Sequence, residues 1–373
     1  MTPRKRFGRR LLVAIARIGG ALVAAGGFAF LGAALFIGSQ CYSATSEPQA
    51  STSTAQANDI VGYTRNEVST FLTLPEWFIV YSTEEQARFA GTQAPSRFPY
   101  VRSIAQFWRY YGAVCRATKS VYPFNAGDHL MLAVIGTSFS IEYALKGLYE
   151  GSIGRLIEWL DGYDTPEDAF AQRTAVEYGT FMHTVPWYEF PFFAKLAALW
   201  RDTPLWGVHQ TRKWERRLAL SGEYTIKGIY GWVIGRGSKA TYGDEDQRVY
   251  ARIENAGDGV FGDQGIRKIH SAAPRAFIVS IPRYEAFTGH ALTLVRQGVR
   301  FVDIAGNDVI LISAIGRAQP RRRVSTGSIV LDEPLLSDPG TSRLAIKVPV
   351  HSLHTLVAEL ERDGLKIEHL YDY

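Results

Sequence analysis

The chain has 373 residues, of which 46% are hydrophobic and 21% are charged. This balance is typical of a folded protein with about two or three domains and excludes a disordered or fibrous chain. The 2 cysteines are too few for a disulfide scaffold or a thiolate-rich metal site. The net charge of +5 comes without a basic run long enough for a nucleic-acid arm, so no nucleic-acid partner is expected.

The N-terminus combines a basic cluster with a long apolar segment. The cluster consists of Arg4, Lys5, Arg6, Arg9 and Arg10. No charged residue occurs between Ile18 and Gly38, a length that suffices to span a bilayer. Residues 1–42 are therefore predicted to form a cytoplasmic basic tip and an uncleaved transmembrane helix, with a cleaved signal peptide as the alternative. The positive-inside rule then places the bulk of the chain in the periplasm, at a bacterial inner membrane.

Small residues in and after this segment suggest how the anchor is used. A stripe at every fourth position consists of Ala21, Ala25, Ala29 and Ala33. Such a stripe lets a second helix approach closely, so a homodimer is one interpretation and simple contact with the lipid bilayer is the other.

Residues 43–60 are rich in small polar residues and are predicted to be a flexible linker. We expect Cys41 and Cys115 to stay unpaired, because Cys41 lies against the membrane.

The strongest internal signal is a duplication. One segment contains Ser140, Glu142, Tyr143, Lys146, Gly147, Tyr149 and Arg155, and the same spacing recurs in Ser221, Glu223, Tyr224, Lys227, Gly228, Tyr230 and Arg236. Upstream, Phe98-Pro99 and Trp108-Arg109 match Phe190-Pro191 and Trp200-Arg201. We predict a mainly α-helical domain over residues 61–245, formed by two helical hairpins in units of about 64–163 and 164–243.

The second helix of each unit supplies the candidate functional residues. Its Glu and Lys are four residues apart, which is the spacing of an ordinary surface pair. The apolar surroundings of the first pair argue for burial, and buried charges need partners. Pseudo-symmetry would place Glu142 opposite Lys227 and Lys146 opposite Glu223. The candidate polar cluster consists of Glu142, Tyr143, Lys146, Glu223, Tyr224 and Lys227. A structural role for this cluster is favoured, and a polar ligand pocket is the alternative.

Two other segments could meet the membrane. The aromatic stretch from Val185 to Trp206 supplies the candidate membrane-interface residues, which are Trp187, Tyr188, Phe192 and Trp200. An aromatic seam inside the core is the equally weighted alternative. Leu130–Tyr149 could be a second span, but its uncharged run is short and fits a buried helix better.

The pattern changes after His270, where short β-branched runs alternate with helical stretches. Arg275-x-x-Ile-x-x-Ile-Pro and Arg343-x-x-Ile-x-Val-Pro, which differ by one residue in spacing, introduce two similar β-α-β stretches. Residues 270–373 are therefore predicted to form an α+β sandwich of the ferredoxin-like kind with one added strand.

No motif of known chemistry withstands inspection. Gly257-x-Gly259-x-x-Gly262 has acidic neighbours that would repel a pyrophosphate, and no apolar helix follows it. His351 and His354 lack a nearby carboxylate that would complete a metal site. We therefore expect no metal and no cofactor, and we assign no catalytic residue.

The segments Leu74–Tyr81, Tyr122–Asn125, Ile141–Tyr143, Gly154–Trp159 and Pro186–Glu189 resemble a family of uncharacterised bacterial inner-membrane proteins. The resemblance covers about residues 64–240, implies a membrane location and implies no activity. The leading hypothesis is a non-catalytic protein that binds or scaffolds an envelope protein or a small ligand. The alternatives are an enzyme acting on a lipid or envelope precursor through Glu142 or Glu223, and a small transporter if Leu130–Tyr149 spans the membrane.

Overall fold

The computed structural model describes residues 24, 26–42, 67–120, 122–238, 248–262 and 265–371. In this part of the chain a helical region is followed by a region of antiparallel sheet. The expected order of a helical part and then a part with sheet is confirmed. The predicted linker and much of the predicted anchor lie outside the described residues.

The helical region begins with α1, which comprises residues 26–40. It continues with α2 (Glu67–Ala90), α3 (Tyr100–Thr118), α4 (Ala126–Tyr149), α5 (Arg155–Asp161), α6 (Pro166–Met182), α7 (Phe192–Asp202) and α8 (Gln210–Ser238). A π-helical turn over Glu150–Gly154 joins α4 to α5. Among the helices described, none is both long and apolar enough to cross a membrane.

The two predicted units share the same backbone conformation where their first helices begin. A short 3₁₀ turn precedes each Phe-Pro pair. Pro99 has φ −82° and ψ 66°, and Pro191 has φ −78° and ψ 62°. Proline is well tolerated at a helix start because its missing N–H has no partner there. The Phe-Pro pairs therefore open α3 and α7 in the same way.

Side-chain contacts repeat as well. The rings of Phe89 and Phe98 lie 5.4 Å apart, and those of Phe181 and Phe190 lie 5.3 Å apart. Trp108 donates its indole N–H to Ser140 Oγ at 3.1 Å. Trp200 donates to Ser221 Oγ at 2.9 Å. The sequence duplication thus corresponds to two helical units with equivalent internal contacts.

The described part of the predicted anchor is packed on the helical domain. The Phe36 ring lies 5.1 Å from that of Trp108, and Cys41 forms a disulfide with Cys115. The expectation of unpaired cysteines is therefore wrong, because α1 lies against α3 and brings the two residues together. Ala33 is buried within its own chain, so it does not form a free surface for a second copy. Ala21 and Ala25 lie outside the described residues.

The C-terminal region contains eight strands and two further helices among the described residues. In chain order these are β1 (Arg248–Glu254), β2 (Arg267–Ala273), β3 (Ala276–Pro282), α9 (Glu285–Arg296), β4 (Arg300–Ile304), β5 (Val309–Arg317), β6 (Ser328–Pro334), β7 (Thr341–Pro349), α10 (Leu353–Arg362) and β8 (Lys366–Leu370).

These strands form two four-stranded sheets with the orders β2-β3-β1-β4 and β6-β7-β5-β8. Each sheet is formed by three strands, a helix and a fourth strand in chain order. α9 joins β3 to β4, which lie on either side of β1, and α10 joins β7 to β8, which lie on either side of β5. This split β-α-β arrangement is shared with ferredoxin-like domains. The prediction of one sandwich with one added strand is corrected, since two sheets are present and the first begins at Arg248, before residue 270. β1 alternates polar and apolar residues, as half-buried strands do, so the sequence contained a signal for this strand that the prediction did not use.

The second sheet lies between two layers of helices. Ile310, Ile312 and Ala314 share the core that contains α9 and α10, whereas Leu311 packs with the apolar residues of α2 and α3. α2 contacts β5, and α3 contacts β6. α4 and α8 pack mainly on other helices, so they lie on the side of the helical domain that faces away from the sheets.

Candidate functional site

A cleft of about 1160 Å³ lies between the two helical units. Its walls come from α2 and α4 of the first unit and from α6 and α8 of the second. Most of the wall is apolar, with residues such as Ala87, Ile141, Leu145, Leu220 and Ile226. The cleft is slightly larger than the range of about 300–1000 Å³ that is usual for small-molecule sites.

Four charged side chains of the predicted cluster meet in the wall of this cleft. Lys146 Nζ lies 3.2 Å from Glu142 Oε1 and 2.9 Å from Glu223 Oε1. Lys227 Nζ lies 2.9 Å from Glu142 Oε1 and 3.4 Å from Glu223 Oε1. Each charge thus contacts both opposite charges, one on its own helix and one across the repeat. The cross-repeat pairing that pseudo-symmetry suggested is present beside the ordinary four-residue pairs.

The two tyrosines of the predicted cluster also line the cleft, but they are buried. Tyr143 accepts a hydrogen bond from Ser82 Oγ at 3.2 Å. Tyr224 bonds to the side chain of Thr174. Ser82 and Thr174 stand seven residues before Phe89 and Phe181 respectively, so they occupy equivalent positions in α2 and α6. The structure therefore brings all six predicted residues to one wall.

A buried ionic network closes one end of the cleft, and the sequence analysis missed it. Its basic residues are Arg212, Lys213, Arg216 and Arg217 in the first turns of α8. Their acidic partners include Glu150, Glu158, Glu167, Asp168 and Glu215. Basic residues at a helix N-terminus oppose the helix dipole, which was the available signal that they need acidic partners. Their partners come from three other segments, which the sequence alone does not bring together.

Glycine makes one link of this network sterically feasible. A Cβ atom at Gly154 would lie 2.6 Å from Glu150 Oε2. Without that atom the Glu150 side chain has room, and Glu150 Oε1 accepts a hydrogen bond from Arg216 at 2.6 Å. The π-helical turn and its glycine therefore position a carboxylate at the end of the cleft.

The predicted membrane-interface residues have different environments. Phe192 is buried against Tyr178 and Tyr224, so its assignment to the membrane surface is corrected. Trp187 and Tyr188 are half-buried, and the Trp187 ring lies 5.2 Å from that of Tyr230. Trp200 is exposed. The aromatic stretch is divided: Phe190 and Phe192 pack in the core of the second unit, whereas Phe193, Trp200 and Trp206 are exposed.

A second group of ionisable side chains lies between the helices and the sheets. His183 Nε2 lies 2.6 Å from Glu84 Oε1, and this hydrogen bond raises the pKa of His183. His369 stacks on Trp77 with ring centres 3.9 Å apart, and burial lowers the pKa of His369 to about 3. Burial also raises the pKa of Glu76 to about 7, but Glu76 does not line the cleft.

One group of described residues has the spacing of metal ligands. Cys41, Cys115 and His129 offer ligand atoms that lie within 4.8 Å of one another. The two sulfurs are bonded to each other, so they are not thiolates in this structure. His129 Nδ1 also lies 2.7 Å from the Tyr111 hydroxyl.

No protein-family model, curated protein or solved structure matches the chain. The resemblance to bacterial inner-membrane proteins therefore stays a prediction.

Proposed function

We propose that the chain is a membrane-anchored envelope protein whose helical domain binds a partly apolar ligand in the cleft between its two units. The observation that carries this proposal is the cleft of about 1160 Å³, whose apolar walls hold one compact polar cluster. Apolar walls with a few convergent polar groups are the usual composition of a ligand site. In this proposal the α+β domain, with its ferredoxin-like split units, supports α2 and α3 on the side opposite the cleft.

The charge arrangement favours binding over catalysis. Glu142 and Glu223 each contact two lysine ammonium groups. Such contacts favour the charged form of both the carboxylates and the ammonium groups. A general acid or base works best with a pKa near the operating pH, so these residues are poorly suited to proton transfer. They are better suited to fixing α4 against α8 and to orienting a polar group of a ligand.

Two features support a location in the envelope. The N-terminal basic cluster and apolar segment favour an anchor with the bulk of the chain in the periplasm. The disulfide between Cys41 and Cys115 suits an oxidising compartment, which the periplasm is. Reporter fusions after residues 60 and 373 should both report the periplasm. A cytoplasmic signal from both fusions would contradict this location.

Native mass spectrometry of the full-length protein in mild detergent tests the ligand site. We expect a non-covalently bound molecule on the wild type and its loss in Ala175→Trp, because Ala175 lines the cleft. The matched control is Val176→Trp, since Val176 is the exposed neighbour of Ala175 and does not line the cleft. The absence of any bound molecule, or equal binding by both variants, would contradict a ligand site in the cleft.

A further inference from the structure

α4 and α8 each present an uncharged apolar surface. Within residues 130–149 every exposed residue is apolar: Leu130, Met131, Val134, Ala144, Leu145 and Leu148. Within residues 218–233 the exposed residues are also uncharged: Leu218, Gly222, Ile226, Ile229, Tyr230, Trp232 and Val233. Large apolar patches of this kind on a folded domain mark a surface that another apolar phase or partner covers.

α1 extends this surface and indicates what covers it. A Cβ atom at Gly26 would lie 3.9 Å from Ile141 Cδ1, and the Tyr42 ring lies 5.6 Å from that of Phe124. α1 therefore runs antiparallel to the first part of α4. Its own outward side chains are Phe28, Phe30, Leu31 and Leu35, and all four are exposed. These residues belong to the uncharged segment that the sequence assigns to the bilayer, so lipid that covers α1 would also cover α4. We call the exposed residues of α1, α4 and α8 the apolar face.

The charges of these helices are arranged as expected for a lipid-facing surface. Glu142 and Lys146 of α4 point into the cleft wall, where Glu223 and Lys227 compensate them. Intramembrane charges usually face the protein interior and are paired in this way. These inward-facing charged residues lower the mean hydropathy of α4 and α8, although the outer side of each helix is apolar. Arg155 and Arg236 are exposed just past the two apolar stretches, where a long cationic side chain can reach lipid headgroups.

The cleft opens onto the apolar face. Leu145, Ile226 and Tyr230 line the cleft and are also exposed, so no charged side chain separates its mouth from the apolar face at these positions. Inside, the cluster of two carboxylates and two ammonium groups has no net charge. The carboxylates of such a cluster can bind a cationic group, and its ammonium groups can bind an anionic group. Because the cluster has no excess positive charge, it does not favour an anionic headgroup.

We infer that the apolar face lies against the bilayer and that the cleft takes up a zwitterionic membrane lipid, which enters sideways between α4 and α8. The sheets are on the opposite side of α2 and α3 and would then face water. This inference rests on the proposed function, because it names the ligand class of the same cleft.

Lipid contact is measured with a fluorescent label on single introduced cysteines. The 2 natural cysteines are bonded to each other, so an introduced thiol reacts alone. The full chain carries Leu148→Cys or Ile229→Cys on the apolar face, and Arg300→Cys, at the exposed first residue of β4, is the control. In phosphatidylcholine vesicles with brominated acyl chains, we expect strong quenching at positions 148 and 229 and none at position 300.

Lipid selection is measured on protein reconstituted in equal amounts of phosphatidylcholine and anionic phosphatidylglycerol and then extracted for native mass spectrometry. We expect the bound lipid to be zwitterionic with a preference of about fivefold or more. Ile226→Glu should lower its occupancy about tenfold, because it places a charge at the apolar mouth. Ile226 is exposed, so this change leaves the core intact, and Ile269→Glu on exposed β2 is the matched control.

The outcomes separate this inference from the proposed function. Unquenched labels at positions whose unlabelled cysteines react with a membrane-impermeant thiol reagent would show that the apolar face lies in water. Unquenched labels at positions whose unlabelled cysteines do not react, together with a crosslinked dimer, would show that a second copy covers the face. Either of these two results overturns the inference. A preference for anionic lipid, or equal lipid binding by Ile226→Glu and Ile269→Glu, also overturns it. A bound molecule that Ala175→Trp still removes would in those cases leave the proposed function standing.

Discussion

Close contact between α3 and α4 depends on the missing side chain of Gly136. A Cβ atom at this position would lie 2.3 Å from Phe107 Cε1. Gly136→Ala should therefore lower the free energy of unfolding by about 1–3 kcal/mol, as is usual for an overpacked core. Denaturant unfolding of the protein in detergent measures this change.

Gly222→Ala is the matched control, because the space around its added Cβ is open. This substitution should leave stability unchanged or raise it by up to about 1 kcal/mol, the helix-propensity difference between the two residues. Equal destabilisation by both variants would show that helix backbone effects, and not the contact with Phe107, dominate.

His369 should make the protein sensitive to acid. Its ring lies against Trp77 and Tyr371, and its Nδ1 lies 3.2 Å from Thr288 Oγ1. Burial and then the charge of His183 lower the pKa of His369 from 6.5 to about 3. The unfolded chain thus binds the proton first as pH falls. The stability linked to His369 is fully present above the unfolded pKa and is lost between that value and about 3.

The test is the slope of unfolding free energy against pH. His369→Gln should reduce the slope between about pH 4 and 6 by up to about 1.4 kcal/mol per pH unit, since glutamine takes up no proton. The exposed His351 provides the control, and His351→Gln should leave the slope unchanged. An unaltered slope in His369→Gln would rule out this histidine as the source of acid sensitivity.

At the scale of elements, the charged cluster joins α4 to α8. Glu142 and Lys227 lie 2.9 Å apart across the repeat, in a wall that is only partly exposed. A double-mutant cycle with Glu142→Gln and Lys227→Met should give a coupling free energy of about 0.5–3 kcal/mol, because the two groups contact directly. Unfolding of the two single variants and the double variant measures it.

The pair Lys195 and Glu177 is a suitable comparison. It joins α7 to α6 within the second unit, at 2.5 Å, and its carboxylate is more exposed. Its coupling should lie in the range of about 0.2–1 kcal/mol that is usual for surface pairs. A larger coupling for this pair than for Glu142 and Lys227 would argue against a special role of the cleft cluster in joining the units.

At the scale of the whole molecule, Arg343 joins the helices to the second sheet. This buried residue of β7 donates from Nη1 to Glu85 Oε1 at 2.8 Å and from Nε to Glu368 Oε2 at 2.6 Å. Arg343→Met would leave two carboxylates without their cation. The free energy of unfolding should fall by about 3–5 kcal/mol, as when one partner of a buried ion pair is removed.

Arg109 offers the matched control at the same junction. Its bond to Glu333 Oε1, at 2.5 Å, is also between the helices and the sheet, but the arginine is about half exposed. Arg109→Met should therefore cost less than about 1 kcal/mol. Similar losses for both variants would mean that burial does not set the strength of the junction.

Features that depend on repeated local patterns could be predicted from the amino-acid sequence. Gapless repetition of Glu142-x-x-x-Lys146 and Glu223-x-x-x-Lys227 was enough to predict two equivalent helices and their cross-repeat pairing. The Phe-Pro pairs predicted where α3 and α7 begin, because proline restricts the backbone locally. The change from helical region to a region with strands was visible for the same reason.

Contacts between distant residues became visible in the folded chain alone. Cys41 pairs with Cys115 because α1 lies on α3, and the basic start of α8 is buried because three acidic segments surround it. The division of the strands into two sheets depends on pairing between strands that the chain order leaves open. The cleft and the apolar face arise from how helices are placed side by side. These are long-range contacts, and no local periodicity encodes them.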